Sequence, residues 1–193
     1  MGKRSDFERV ERDFYPTPYE AVIPLLSHLE KGLEFDEPCC GNGDLINHLE
    51  SAGYRCRGAS DIKSSCPKAE IADAITLISC SADYFITNPP WDRKILHPII
   101  KNLSEIAPTW LLFDADWMHT KQSSELIKYC HKIVSVGRVK WIPDSKMTGK
   151  DNCCWYLFKS NVAEVTEFHG RVSDSYIIYG YDKPKATVED IEF

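Results

Sequence analysis

The chain reads as an α/β protein built on a mostly parallel sheet with helices on both faces. Three observations predict this. Short strand-like apolar segments alternate with amphipathic helical ones, the order that makes parallel strands joined by crossover helices. Polar residues, Glu37, Asp61, Asp73, Asn88 and Asp114, recur where successive strands end. The last two apolar segments, 133–142 and 153–159, read as an antiparallel closing pair.

Each element has its own signal. Phe14-Tyr15-Pro16-Thr17-Pro18 is extended, because a residue before proline is pushed out of the α region. A helix then opens at Thr17 or Pro18 and runs to about residue 29, with Ala21, Val22, Leu25, Leu26 and Leu29 at helical spacing. Residues 33–37 form a short strand, and the turn 38–42 leads into a helix over 43–52 with Leu45, Ile46 and Leu49 on one face. Strands follow at 54–60 (ending at Asp61-Ile62), at 69–72 (ending at Asp73) and at 84–87. A helix spans 96–106 with Ile99, Ile100 and Leu103 inward, a fifth strand spans 109–113, and a helix spans 123–130. Beyond about residue 166 the pattern weakens; Tyr176-Ile177-Ile178-Tyr179 suggests an extra strand, and the tail is polar.

Composition narrows the function classes. The chain has 193 residues, 43% of them hydrophobic, enough for one sizeable core. A net charge of −6 argues against a protein that coats nucleic acid by bulk charge, while leaving room for a local basic site. Met1-Gly2-Lys3-Arg4-Ser5-Asp6 lacks the apolar run of a signal peptide and the Ser or Thr of a myristoylation site. No apolar run approaches the roughly 20 residues of a membrane span. Eight cysteines occur without C-x-x-C or zinc-finger spacing, so they read as reduced thiols of a cytoplasmic protein, with no metal site expected.

The motif with most chemical content is Asn88-Pro89-Pro90-Trp91. A strand that meets two prolines must stop, because proline has no N–H for the ladder and its φ is locked. The result is a stiff tip carrying an amide, which both donates and accepts, and an indole, which stacks on planar rings. That pair suits an amino group on a flat heterocycle; alone, it is equally a proline turn with a buried Trp. Glu37-Pro38-Cys39-Cys40-Gly41-Asn42-Gly43-Asp44 is a glycine-bearing strand-to-helix turn. Gly41 and Gly43 permit close backbone approach. A diphosphate fingerprint needs a third glycine where Ile46 stands, and Glu37 disfavours phosphate but suits a positive centre. Asp61 lies at the distance where an acidic side chain accepts two ribose hydroxyls, with Ile62 placed to cover an adenine face and Asp73 to accept from an exocyclic amine. Singly, each acid is also a plain strand-end cap.

In this order the motifs resemble those of S-adenosylmethionine-dependent amino-methyltransferases acting on nucleic acid. The chain is most similar to the DNA adenine-N6 methyltransferases of the small phage-like or restriction-associated type. The resemblance covers about residues 13–160. It implies a Rossmann-like methyltransferase fold with a seven-stranded sheet and an antiparallel final strand. The charge pattern and polarity of the two ends set the expected organisation: an arm at 1–13, a methyltransferase catalytic domain at 14–180 and a polar tail at 181–193. Cofactor contacts are implied for Tyr15, Thr17, Pro18, Glu37, Pro38, Cys39, Gly41, Gly43, Asp61, Ile62, Asp73 and Asn88, and catalysis for Asn88, Pro89, Pro90 and Trp91. The implied substrate is DNA, as a duplex from which the base is flipped, and the implied location is the cytoplasm, that of a bacterial host if phage-encoded. The same chemistry on cytosine N4, RNA adenine or a glutamine amide remains an alternative, as does a non-catalytic cofactor-binding subunit.

One departure from the family pattern stands out: there is no room for a separate target-recognition domain. The segment 141–152 is the remaining candidate, with Trp141, Lys146 and Lys150, approached by Arg138 and Lys140. It is otherwise a solvated hairpin loop. If it reads DNA alone, specificity is short or weak; otherwise a second copy or a partner subunit supplies it.

Overall fold

The computed structural model describes residues 15–142 and 149–171. Eight strands form one sheet: β1 (Glu34–Glu37), β2 (Arg55–Asp61), β3 (Glu70–Ile71), β4 (Tyr84–Thr87), β5 (Thr109–Asp114), β6 (Cys130–Arg138), β7 (Asn152–Phe158) and β8 (Glu167–His169). Their order is β3-β2-β1-β4-β5-β7-β6-β8. Strands β3, β2, β1, β4 and β5 pair in parallel, and β7 runs antiparallel to both β5 and β6. The expected closing pair is therefore present. The expectation of seven strands is corrected by β8, which pairs in parallel with the outer side of β6. Three residues, Glu-Phe-His, carry no period that a sequence reading can register.

The helices are α1 (Tyr19–Leu26), α2 (Asp44–Ser51), α3 (Arg93–Ile106) and α4 (Ser124–Ile127). Strand residues alternate between two cores, as the pleat requires. Ile86, Trp110, Leu112, Trp155 and Leu157 face Ala21 and Leu25 of α1 and Leu45 and Leu49 of α2. Phe85, Leu111, Phe113, Tyr156 and Phe158 face Leu96, Ile99 and Leu103 of α3. Because both faces are covered, the central strands read as unbroken apolar runs.

Element ends differ from expectation for local reasons. Helix α3 starts at Arg93 rather than near 96, because the Asp92 carboxylate accepts the Lys94 N–H at 2.9 Å and caps the first turn. The helix expected over 123–130 shrinks to α4, preceded by 3₁₀ turns at Ala115–His119 and Lys121–Ser123. Cys130 is recruited into β6, which ends at Arg138 and not at 142. The arm, Phe14, Lys146 and the Tyr176–Tyr179 segment lie outside the described residues.

One buried acid ties β1 to the segment that precedes β4. Asp36 is 8% exposed and accepts from the Ser81 N–H at 2.6 Å and the Ser81 hydroxyl at 2.8 Å. Its partner across the ladder is Gly58, where a Cβ would stand 2.9 Å from Asp36 Oδ1. A side chain there would push the Asp36 carboxylate off its Ser81 partners.

Candidate functional site

Strand β1 lies between β2 and β4, so the chain leaves β1 toward one side and β4 toward the other. Open α/β sheets bind ligands beyond the carboxyl ends of strands at such a switch point. A cleft of about 400 Å³ opens there, within the range of small-molecule sites.

The turn after β1 forms one wall. Gly41 and Gly43 have φ of 52° and 88°, left-handed values that a side chain would strain. Asp61, at the end of β2, holds this turn: Oδ2 accepts the Gly41 N–H at 2.9 Å, and Oδ1 accepts the Lys63 N–H at 2.8 Å. The loop 62–66 laces onto the same turn, with the Ser64 hydroxyl and the Ser65 N–H donating to the Gly41 carbonyl. Two of the carboxylate's roughly four acceptor positions remain open.

Glu37 sits at the floor. The residue lines the cleft but is only 2% exposed, and its Oε2 is buried without a hydrogen-bond partner. Burial raises its pKa well above the ordinary 4.5, reinforced by the Cys66 thiol and the Asp61 and Asp44 carboxylates, with the Ile46 N–H opposing. An orphaned buried acceptor is costly, and a cationic group within reach would satisfy it. The neighbouring thiols are held protonated: burial pushes Cys40 up to about 11 and raises Cys39 further.

The tip of β4 forms the other side. Asn88 Nδ2 donates to the Thr17 hydroxyl at 3.1 Å, and Asn88 Oδ1 accepts from Trp91 Nε1 at 3.3 Å. The same indole N–H also reaches the Leu112 carbonyl at 3.2 Å, and the ring meets Trp141 edge-on with centroids 5.5 Å apart. Thr17 is tied to α2 through its carbonyl, 3.1 Å from His48 Nε2.

The expected residues distribute as follows. Tyr15, Thr17, Glu37, Pro38, Cys39, Gly41, Asp61, Ile62, Asp73, Asn88 and Pro90 line one cleft. Pro18, Gly43, Pro89 and Trp91 do not line it: Pro18 and Gly43 precede α1 and α2, Pro89 is buried, and Trp91 is wedged between the two cores. Arg138 and Lys150 are exposed, and Lys140 and Trp141 are half-buried, around the hairpin closed by the Gly149 N–H on the Val139 carbonyl. Sequence reasoning missed Ser64 and Ser65, whose place depends on a loop with no periodic signal, and Ile95 and Ile99, which line the cleft from α3.

Three carboxylates and a single lysine, Lys63, line the cleft, with Ile62, Ala74, Ile95 and Ile99 as apolar surface. These acceptors fit a nucleoside-like ligand that carries a positive centre, and they would repel phosphate. Among the described residues, no group of three or more His, Cys, Asp or Glu is placed to hold a metal ion, and no helix is long and apolar enough to cross a membrane.

No protein-family model and no curated protein sequence matches the chain. Solved structures do. One, with a provisional assignment as an RNA methyltransferase from Pyrococcus horikoshii, has a TM-score of 0.56 at 17% identity, over 81% of this chain and 92% of that one. A second, provisionally a class I S-adenosylmethionine-dependent methyltransferase from Listeria monocytogenes, has a TM-score of 0.56 at 10% identity, over 87% and 68%. The fold is that of the Rossmann-like methyltransferases. A third structure, the methyltransferase subunit of a type I restriction-modification system from Streptococcus thermophilus, gives 0.55 at 9% identity, over 85% of this chain and 51% of that one.

Proposed function

We propose that the chain transfers a methyl group from S-adenosylmethionine to the exocyclic N6 amino group of adenine in DNA. The observation that carries this reading is the amide of Asn88 on a proline-stiffened strand tip, lining the same cleft as Glu37 and Asp61. The cleft's excess of carboxylates and its orphaned Glu37 oxygen favour a cationic nucleoside ligand. When bound, that cofactor supplies an electrophilic methyl on a sulfonium.

The chain's own residues do the rest. Asp61 accepts from the ribose hydroxyls while keeping the Gly41 turn closed; Ile62 covers the adenine face of the cofactor, and Asp73 accepts from its amine. Tyr15 and Thr17 close over the other end, with Pro18 behind them opening α1. The target amino group is a poor nucleophile because its lone pair is conjugated into the ring. Asn88 Oδ1 and the Pro89 carbonyl both accept from it, which favours a pyramidal nitrogen and aims the lone pair. Acceleration then comes mainly from positioning. Trp91 and Trp141 form an aromatic corner against which an extruded base packs, a contact worth about 1–3 kcal/mol. Arg138, Lys140 and Lys150 meet phosphates.

A second reading, adenine in RNA, draws on the likeness to a protein assigned to RNA methylation. The same acceptor pair would also serve cytosine N4 or a glutamine amide. Incubation with labelled S-adenosylmethionine and unmethylated DNA or RNA, followed by digestion, separates these readings by the nucleoside that carries the label. No transfer to any nucleic acid removes the proposal.

A further inference from the structure

Indole N–H groups donate and never accept, whereas a hydroxyl does either. This asymmetry matters at Asn88. Its amide is nearly symmetric in shape but not in chemistry, and its two ends meet different neighbours. Nδ2 lies 3.1 Å from the Thr17 hydroxyl, and Oδ1 lies 3.3 Å from Trp91 Nε1. Rotating the amide by half a turn would set its NH₂ against the indole N–H, donor to donor. Thr17 would tolerate that rotation by turning its hydroxyl; Trp91 would not. Trp91 is itself immobilised, since its N–H also donates to the Leu112 carbonyl on buried β5 and its ring stands edge-on to Trp141 at 87°.

We infer that Trp91 is a positioning residue whose indole N–H locks the Asn88 amide with its oxygen available as the acceptor for the substrate amino group. The inference rests on the methyl-transfer reading and assigns Trp91 a task besides stacking. Asn88 Oδ1 has two lone pairs; the indole takes one and leaves one for the incoming N–H. A rotated amide would offer an NH₂ to an NH₂, and the reacting nitrogen would lose one of its two acceptors. A phenyl ring at position 91 keeps the flat face and loses the lock.

Two variants test this: Trp91→Phe, and the protein carrying 3-benzothienylalanine at position 91, which replaces the ring N–H by sulfur at nearly unchanged shape. Steady-state methylation of duplex DNA is read as kcat and KM separately, with S-adenosylmethionine affinity and thermal unfolding measured alongside. The expected result is a fall in kcat of about tenfold in both variants, the worth of one net hydrogen bond, with KM for DNA and cofactor affinity changed less than twofold. A benzothienyl protein with wild-type kcat overturns the inference, as does a loss confined to KM, the signature of stacking alone. Hydrogen exchange of the Trp91 indole proton in the ligand-free protein tests the lock without any turnover. Because that N–H also bonds to the Leu112 carbonyl, the comparison is with Asn88→Ala: protection that falls in the variant supports the lock, and protection unchanged by it, or free exchange in the wild type, refutes it even if the enzyme acts on a different substrate. Absence of methyl transfer by the wild-type protein would instead count against the proposed reaction.

Discussion

Replacing Glu37 by Gln should change how stability depends on pH, and the size of the change has a ceiling set by the width of the pH window. Glu37 is 2% exposed, lacks a partner on Oε2, and has Asp61 and Asp44 as acidic neighbours. Its pKa in the folded protein is raised above the ordinary 4.5, first by burial. For an acid raised in this way the folded state binds the extra proton. Its contribution to stability is complete below the unfolded value and is lost as pH climbs through the folded one. Each pH unit in that window costs 1.36 kcal/mol, so between 4.5 and 7 the loss reaches at most about 3.4 kcal/mol. Glutamine does not titrate. The stability difference between wild type and Glu37→Gln should therefore move against the wild type by up to about 3 kcal/mol over that interval, or about 2–4 °C of Tm per kcal/mol. Slope is diagnostic and absolute height is not, because a buried amide brings its own unpaired donor. Urea unfolding at half-unit pH steps provides the data. Parallel curves for the two proteins would refute the reasoning, since they would mean that Glu37 is ionised and satisfied throughout.

Asp61→Ala removes the acceptor for the Gly41 and Lys63 N–H groups together with the proposed ribose contact, so titration calorimetry should find S-adenosylmethionine binding weakened at least about tenfold. Gly58→Ala forces a Cβ to 2.9 Å from an Asp36 oxygen that Ser81 holds in place, and urea unfolding should register a loss of about 1–3 kcal/mol. Lys150→Ala, if that side chain meets a phosphate, should lower the slope of log affinity for DNA against log salt by about 0.9; an unchanged slope places the DNA elsewhere.

How far the sequence carried depended on whether a feature was periodic. Strand β4 is a short, mostly apolar run that stops just before Asn88-Pro89-Pro90 can interrupt it, and its limits, Tyr84 and Thr87, coincide with expectation. The helical spacing of Ile99, Ile100 and Leu103 places them on the buried face of α3, as the structure has them. What escaped was set by single contacts. The Asp92 cap starts α3 three residues earlier than its first inward apolar positions suggest, and Cys130-His131-Lys132 looks too polar for a strand until β7 and β8 pair with it on either side. The same division holds at the site. Glu37, Asp61, Asp73 and Asn88 were legible because strand ends in this architecture converge on one cleft. The lacing of loop 62–66 onto Gly41 and the indole bond to Asn88 were not, since both depend on side-chain direction and not on position along the chain.

The most direct test of the account compares wild type with Asn88→Ala, using labelled S-adenosylmethionine, unmethylated DNA and analysis of the released nucleosides. The account predicts label in N6-methyladenine from the wild type and a loss of at least about a hundredfold in kcat from the variant, with cofactor affinity largely kept. Undiminished transfer by Asn88→Ala, or label in no nucleoside from the wild type, would contradict it.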